Sequence, residues 1–229
     1  MKITWIGQAG LLFETDGKKI LIDPYLSNCV VKVNPKNYRR VPVDERFLEI
    51  KPDVILVTHN HLDHVDPETL CHYLTPDATC LVLAPDGSWQ EIRKHFPATS
   101  CNYVLFNDGT TWNEGAVTFR AVKAEHSDPG AIGVIISAEG KNYYVTGDTL
   151  YSERVFDSLP SPLDLHAIFL PVNGVGNNMN MTDAANFARR VGAKYAVPLH
   201  VGLFDSLDPA DFPVPNKIVP EFYREIKLP

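Results

Sequence analysis

The sequence has no feature of a membrane-spanning or exported chain. No apolar run approaches the ~18 residues that cross a bilayer, and Met1-Lys2-Ile3-Thr4-Trp5-Ile6-Gly7 lacks the continuous apolar core of a signal peptide. A cytoplasmic protein without membrane insertion is the expectation. Cysteine is scarce. Cys29, Cys71, Cys80 and Cys101 form no C-x-x-C pair and show no metal-ligand spacing, so they read as buried, reduced thiols. Basic charge is also short: 21 Lys and Arg stand against 28 Asp and Glu, a formal net charge of −7, which argues against nucleic acid as a partner. Low-complexity tracts and fixed-period repeats are absent too.

What is present suits one domain spanning 1–229, with 45% apolar residues to build a core. Ile3 to Ile6, Leu11 to Glu14 and Lys19 to Ile22 read as strands, and Asp16-Gly17 between the last two is a hairpin signal. Later segments of strand character are Val54 to Val57, Cys80 to Ala84, Val104 to Phe106, Thr110 to Asn113, Ala116 to Val122, Ile132 to Ser137, Asn142 to Thr146, Leu165 to Leu170 and Lys194 to Leu199. Helices are expected from Asp66 to about Leu74, Asp86 to His95, Ser152 to Leu159, Thr182 to Gly192 and, in short form, Val219 to Ile226.

The densest chemistry follows the apolar run Val54-Ile55-Leu56-Val57, in Thr58-His59-Asn60-His61-Leu62-Asp63-His64. Side chains two apart in an extended segment share a side, so His59 and His61 can converge on one metal ion. Asp63 and His64 come after the chain starts to turn and together can hold a second ion beside the first. A solvated polar loop is a poor account of three histidines and an aspartate crowded at the end of a buried strand.

His126, Asp148 and His200 are isolated, but each also follows an apolar strand. Neighbouring strand ends in a sheet lie along one edge, so these three join the first four as seven candidate ligands. His72, His95 and His166 have no such placement and read as ordinary residues. Asp23, also at a strand end, reads equally as a turn residue or as a group that orients the metal loop. The long connection 25–52 carries Arg39 and Arg40, which either hold an anionic group such as phosphate or are solvated surface charges. The Asn173-Gly174-Val175-Gly176-Asn177-Asn178 loop either offers Asn177 and Asn178 to a substrate or merely turns the chain.

The H-x-H-x-D-H block, followed by a distant His, a strand-end Asp and a last His, resembles the metallo-β-lactamase superfamily of hydrolases. The resemblance implies an α+β fold, a four-layer αββα sandwich with the metal site at one edge, each half of the chain (roughly 1–125 and 126–229) giving one sheet. It also implies that His59, His61 and His126 bind one metal and Asp63, His64 and His200 the other, with Asp148 bridging. Ile22-Asp23-Pro24-Tyr25, Asn173-Gly174, Asn178-Met179 and Pro198-Leu199-His200 are most similar to the branch containing L-ascorbate-6-phosphate lactonase.

Two divalent ions ~4 Å apart can share a water, lower its pKa towards neutrality and polarise the oxygen of the bond it attacks. Asp63 or Asp148 would take the proton. Nitrogen and carboxylate donors suit zinc, manganese or iron, and the resemblance points to zinc or manganese. The function expected is hydrolysis of a small ester or lactone, a sugar-phosphate lactone included, on a small anionic substrate. The alternative is a phosphodiesterase acting on cyclic nucleotides or phospholipid-like diesters. Self-association as a homo-oligomer stays open.

Overall fold

The computed structural model describes residues 1–229. Local turn chemistry starts the architecture. Asp16 and Gly17 both lie in the left-handed region (φ 51° and 71°), as a two-residue hairpin requires, and Glu139 and Gly140 repeat the device (φ 52° and 71°). The first hairpin joins β2 (Gly10–Thr15) to β3 (Lys18–Ile22), and the second joins β9 (Ile132–Ala138) to β10 (Lys141–Val145).

Twelve strands form two mixed sheets. In the first, β1 (Lys2–Gly7), β2 and β3 are antiparallel, and β4 (Val54–Leu56), β5 (Leu81–Ala84) and β6 (Asn102–Leu105) continue parallel to β3. The second mirrors it. There β7 (Thr111–Glu114), β8 (Val117–Lys123), β9 and β10 run antiparallel, and β11 (Ala167–Pro171) and β12 (Tyr195–Leu199) run parallel to β10.

Alternation along the strands sorts side chains between the layers. Phe13 of the first sheet meets Tyr143 and Phe169 of the second edge-on, with ring centroids 6.1 and 5.8 Å apart. Tyr144, the next residue of β10, turns the other way, onto Phe187 of helix α4 (Met181–Val191) at 6.3 Å. On the opposite side, Leu70 of helix α1 (Pro67–Leu70) and Ile92 of helix α2 (Asp86–His95) share an apolar cluster with Leu21, Ile55 and Val82. Helix α3 (Glu153–Ser158) packs against β8. The expected α+β, four-layer arrangement is therefore what forms. No helix is long and apolar enough to cross a membrane.

Several local expectations need correction. The sheets divide near residues 106–110, because β7 and β8 both pair into the second sheet. Helix α1 ends at Leu70, and the chain runs on as turns before Pro76. Asn180, not Thr182, caps α4: its Oδ1 accepts from the amides of Thr182 (2.9 Å) and Asp183 (3.0 Å), the donors left free at a helix start. Residues 219–226 form no helix. Tyr223 and Ile226 donate their N–H groups to the carbonyls of Trp5 and Ile3 (both 2.8 Å), and Ile218 donates to Ala196 (2.9 Å), so the tail satisfies the open edges of β1 and β12. Among the thiols, Cys71 is exposed, and the sulfurs of Cys80 and Cys101 lie 3.0 Å apart where β5 and β6 begin.

Gly147 lies just after β10, at the junction of the sheets, with φ 60°; a Cβ there would fall 2.6 Å from the Ile132 carbonyl oxygen and 3.0 Å from Thr58 Cβ. Gly147→Ala is expected to cost about 2 kcal/mol or more, through steric displacement and backbone strain together. Gly17→Ala, whose Cβ would meet nothing within 4 Å, should cost only about 1 kcal/mol. Denaturant melts of the two variants compare these values.

Candidate metal centre

Each of the seven expected ligands emerges just beyond a strand of one sheet or the other. β4 delivers Thr58 to His64, β8 is followed by His126, β10 by Asp148, and β12 by His200. Two backbone bonds fasten the sheets together here: Ile132 N–H to Thr58 O and His200 N–H to Gln8 O, both 3.0 Å. Residues far apart in sequence are thereby gathered at one edge of the sandwich.

The outer nitrogen of each imidazole fixes which nitrogen faces inward. His126 Nδ1 donates to the Asn177 carbonyl (3.2 Å), and His59 Nδ1 donates to Thr58 Oγ1 (3.1 Å), so each presents Nε2. His61 is reversed: its Nε2 lies 3.3 Å from Ser127 Oγ, while Nδ1 faces inward, 3.0 Å from His59 Nε2 and 3.1 Å from His126 Nε2. Three lone pairs thus crowd one point. Burial, reinforced by the neighbouring charge of His64, holds His59 well below its ordinary pKa, and burial likewise lowers His126. Ring nitrogens that converge in this way can hold a cation.

The second cluster is built around carboxylates. Asp63 Oδ2 lies 3.2 Å from His200 Nε2 and 3.9 Å from His64 Nε2; Asp148 Oδ2 lies 3.1 and 3.5 Å from the same two nitrogens. His64 is oriented by Asp23, whose Oδ2 accepts from His64 Nδ1 at 2.9 Å. Burial alone would lower His200, yet Asp148 and Asp63 against it hold it up at about 10, and Asp148 and Asp23 raise His64 in the same way. Asp148, despite burial, is held well below the usual carboxylate range by His200 and His64.

Two buried atoms, His64 Nε2 and Asp148 Oδ1, have no hydrogen-bond partner. Such orphans are costly unless something else binds them. With an all-nitrogen cluster on one side of Asp148 and a mixed cluster on the other, the donor set fits divalent metal. Three overlapping groups are close enough to hold an ion: His59, His61 and His126; His59, His64 and Asp148; and Asp63, His64 and His200.

A cavity of about 630 Å³ opens over the centre, lined by His61, Asp63, Asp148 and His200 and walled largely by amides, Asn177 and Asn178 among them. Asn178 Nδ2 is committed to Asp148 Oδ2 (2.8 Å). Asp23 lies outside the cavity, fully buried behind the ligands. Arg39 and Arg40 are not in the cavity lining. Arg39 spends its guanidinium on the Tyr25 carbonyl (2.9 Å), the Val41 carbonyl (3.3 Å) and the Tyr223 hydroxyl (2.6 Å), and Arg40 lies over the Tyr38 ring. The phosphate-holding reading of these arginines is corrected accordingly. Their loop does reach the cavity, through Asn34 and Asn37. No lysine or arginine lines it, so the walls offer no cation to an anionic substrate.

Sequence reasoning missed Gln8, and it read Asn173 only as part of the 173–178 loop, without a role at His200. Gln8 Nε2 donates to Asp63 Oδ2 (2.8 Å), and the Asn173 amide lies 2.9 Å from His200 Nδ1. If His200 presents Nε2, its Nδ1 carries the proton, and Asn173 Oδ1, otherwise a buried atom without a partner, is its acceptor once the amide is turned over. Gln8 has no sequence signal beyond following β1, and Asn173, after β11, is marked only by the Asn173-Gly174 segment.

A family model described as the beta-lactamase superfamily domain matches residues 18–201. A UPF0173 metal-dependent hydrolase of Ligilactobacillus salivarius is 32% identical over 242 residues, covering 100% of this chain and 99% of the relative. Another from Aeropyrum pernix is 30% identical over 246 residues, covering 99% and 94%. Among solved structures, the metallo hydrolase Igni18 from Ignicoccus hospitalis superposes with a TM-score of 0.76 at 20% identity, over 98% of this chain and 97% of that one, a likeness of fold.

Asp23→Ala would strip the acceptor from Thr58 N–H, Thr58 Oγ–H and His64 Nδ1–H. It is expected to cost about 3 kcal/mol of stability and to weaken metal binding roughly 10–100-fold, measurable by melting and by titration against a chelator. His200 with its pKa raised to about 10 is protonated in the metal-free protein at pH 7. This interaction stabilises the metal-free fold fully below the unfolded value of about 6.5 and is lost as pH rises through about 10. Metal uptake at pH 7 should therefore release protons, detectable in weakly buffered solution, and affinity should rise with pH across the neutral range.

Proposed function

We propose, since the chain belongs to the UPF0173 metal-dependent hydrolases of the metallo-β-lactamase superfamily, that it is a two-metal hydrolase of a small ester or lactone. The observation that carries this reading is the pair of donor clusters on either side of Asp148. His59, His61 and His126 would hold one ion, Asp63, His64 and His200 the other, and the partnerless Oδ1 of Asp148 would let that carboxylate serve both. Zinc or manganese suits the donors. Bound there, the metal pair would supply an activated water and draw charge from a carbonyl oxygen.

The chain's own residues do the rest. Asp63 lines the cavity and is less enclosed than Asp148, so it is the carboxylate placed to hold and pass on a proton. Asn178 steadies Asp148 through its Nδ2–H. The cavity of about 630 Å³ suits a small molecule. The amides of Asn34, Asn37 and Asn177 can donate to and accept from hydroxyl groups, while the walls have no basic side chain for a phosphate. The lactone reading is supported by the Asn173-Gly174, Asn178-Met179 and Pro198-Leu199-His200 segments, similar to the ascorbate-phosphate lactonase branch. Walls without a lysine or arginine, and with Asp205 among them, favour an unphosphorylated sugar lactone within it.

The test is hydrolysis by zinc- and manganese-loaded protein on matched sugar lactones with and without phosphate, alongside phosphodiesters, with Asp148→Ala as the blank. Lactone opening is expected, faster for the unphosphorylated member, and at least ~10³-fold slower in the variant, as for loss of a group acting directly on the reaction. Phosphodiester cleavage alone would replace this reading with the phosphodiesterase one.

A further inference from the structure

Gln8 is almost wholly enclosed, at 1% exposure, and its backbone lies in the left-handed region at φ 51°. Glutamine has neither the freedom of glycine nor the short side chain that lets asparagine settle there. A strained residue persists only where its surroundings over-determine it, and such strain concentrates at working sites. The surroundings here are specific. The Gln8 carbonyl accepts the Trp5 indole N–H (3.0 Å) and the backbone N–H of His200 (3.0 Å), and His200 is itself left-handed at φ 56°. Two strained residues therefore face each other across the junction of the sheets.

The side chain uses this anchorage. Gln8 Nε2 lies 2.8 Å from Asp63 Oδ2 and 3.0 and 3.2 Å from the two ring nitrogens of His200, so the amide rests over the imidazole while donating to the carboxylate. Asp63 settles the amide's orientation, because a carboxylate only accepts. His59, His61 and His126 make no hydrogen bond with it.

We propose that Gln8 is the positioning residue of the Asp63/His64/His200 cluster. Its N–H fixes the rotamer of Asp63 and its amide plane fixes the His200 ring, so it sets the affinity of the second metal position and not of the first. The backbone strain at Gln8 is what aims the amide inward. This inference rests on the two-ion reading of the centre.

The test titrates metal-free wild type, Gln8→Ala and Gln8→Gly with Zn²⁺ against a chelating indicator, and with Co²⁺ followed by visible absorption. Wild type should take up two ions. Both variants should bind the first ion as wild type does and the second at least ~10-fold more weakly, with the cobalt bands of the second equivalent altered. The two variants lose the same amide, but only glycine removes the strain, so Gln8→Gly should melt about 2–4 °C above Gln8→Ala with the same loss of affinity. Unchanged second-ion affinity, or a loss that follows melting temperature from one variant to the other, would overturn the proposal. Uptake of fewer than two ions by wild type is a separate outcome: it would overturn the two-ion reading, and this proposal with it.

Discussion

A carboxylate without access to water holds the centre in shape. Asp23 is fully buried, with φ 43°, and takes the Thr58 amide (2.8 Å), the Thr58 hydroxyl (2.6 Å) and His64 Nδ1 (2.9 Å). An unpaired carboxylate in that position would cost several kcal/mol, so the three donors are obligatory, and meeting them fixes how the end of β3 sits against the end of β4. The Thr58 hydroxyl that donates to Asp23 also accepts from His59. One buried charge therefore orients a histidine in each cluster. These three contacts tie the 58–64 loop to the end of β3.

The two clusters differ electrostatically. On the first side, burial and the neighbouring charge of His64 push His59 downward, and burial does the same at His126. The other side sets Asp63 and Asp148 against His64 and His200, and the carboxylates push both imidazoles upward, His200 to about 10. On the two-ion reading, a cation at the first position would meet the converging ring nitrogens of His59, His61 and His126. An ion at the second would, on the same reading, take the place of protons that Asp148 and Asp63 favour on His200. Asp148 stands between, with one oxygen on the charged cluster and the other without a partner.

The cavity above them shows how little a loop's composition says about its role. Arg39 and Arg40 look like the anion-binding part of the 25–52 connection, yet Arg39 pins that loop to Tyr25 and the C-terminal tail, and the faces turned to the ligands are Asn34 and Asn37. Guanidinium groups seek carbonyls and aromatic rings as readily as substrates. Which of these Arg39 meets depends on where Tyr223 lies, 184 residues away along the chain.

Much was decided locally. The His59-x-His61-x-Asp63-His64 spacing, the strands that precede His126, Asp148 and His200, the Asp16-Gly17 turn and the α+β pattern all rest on neighbours within a few residues, where side-chain period and turn chemistry operate. What the tertiary structure alone decided is non-local: the joining of two sheets so that separate strand ends share one edge, the reversal of His61 by Ser127, the use of residues 219–226 to cover open strand edges, and the placing of Gln8 between Asp63 and His200. Gln8 has no spacing to betray it, since its partners lie 55 and 192 positions away. Sheet register and strand order bring them together, and those are set by the packing of the whole core rather than by any stretch of sequence.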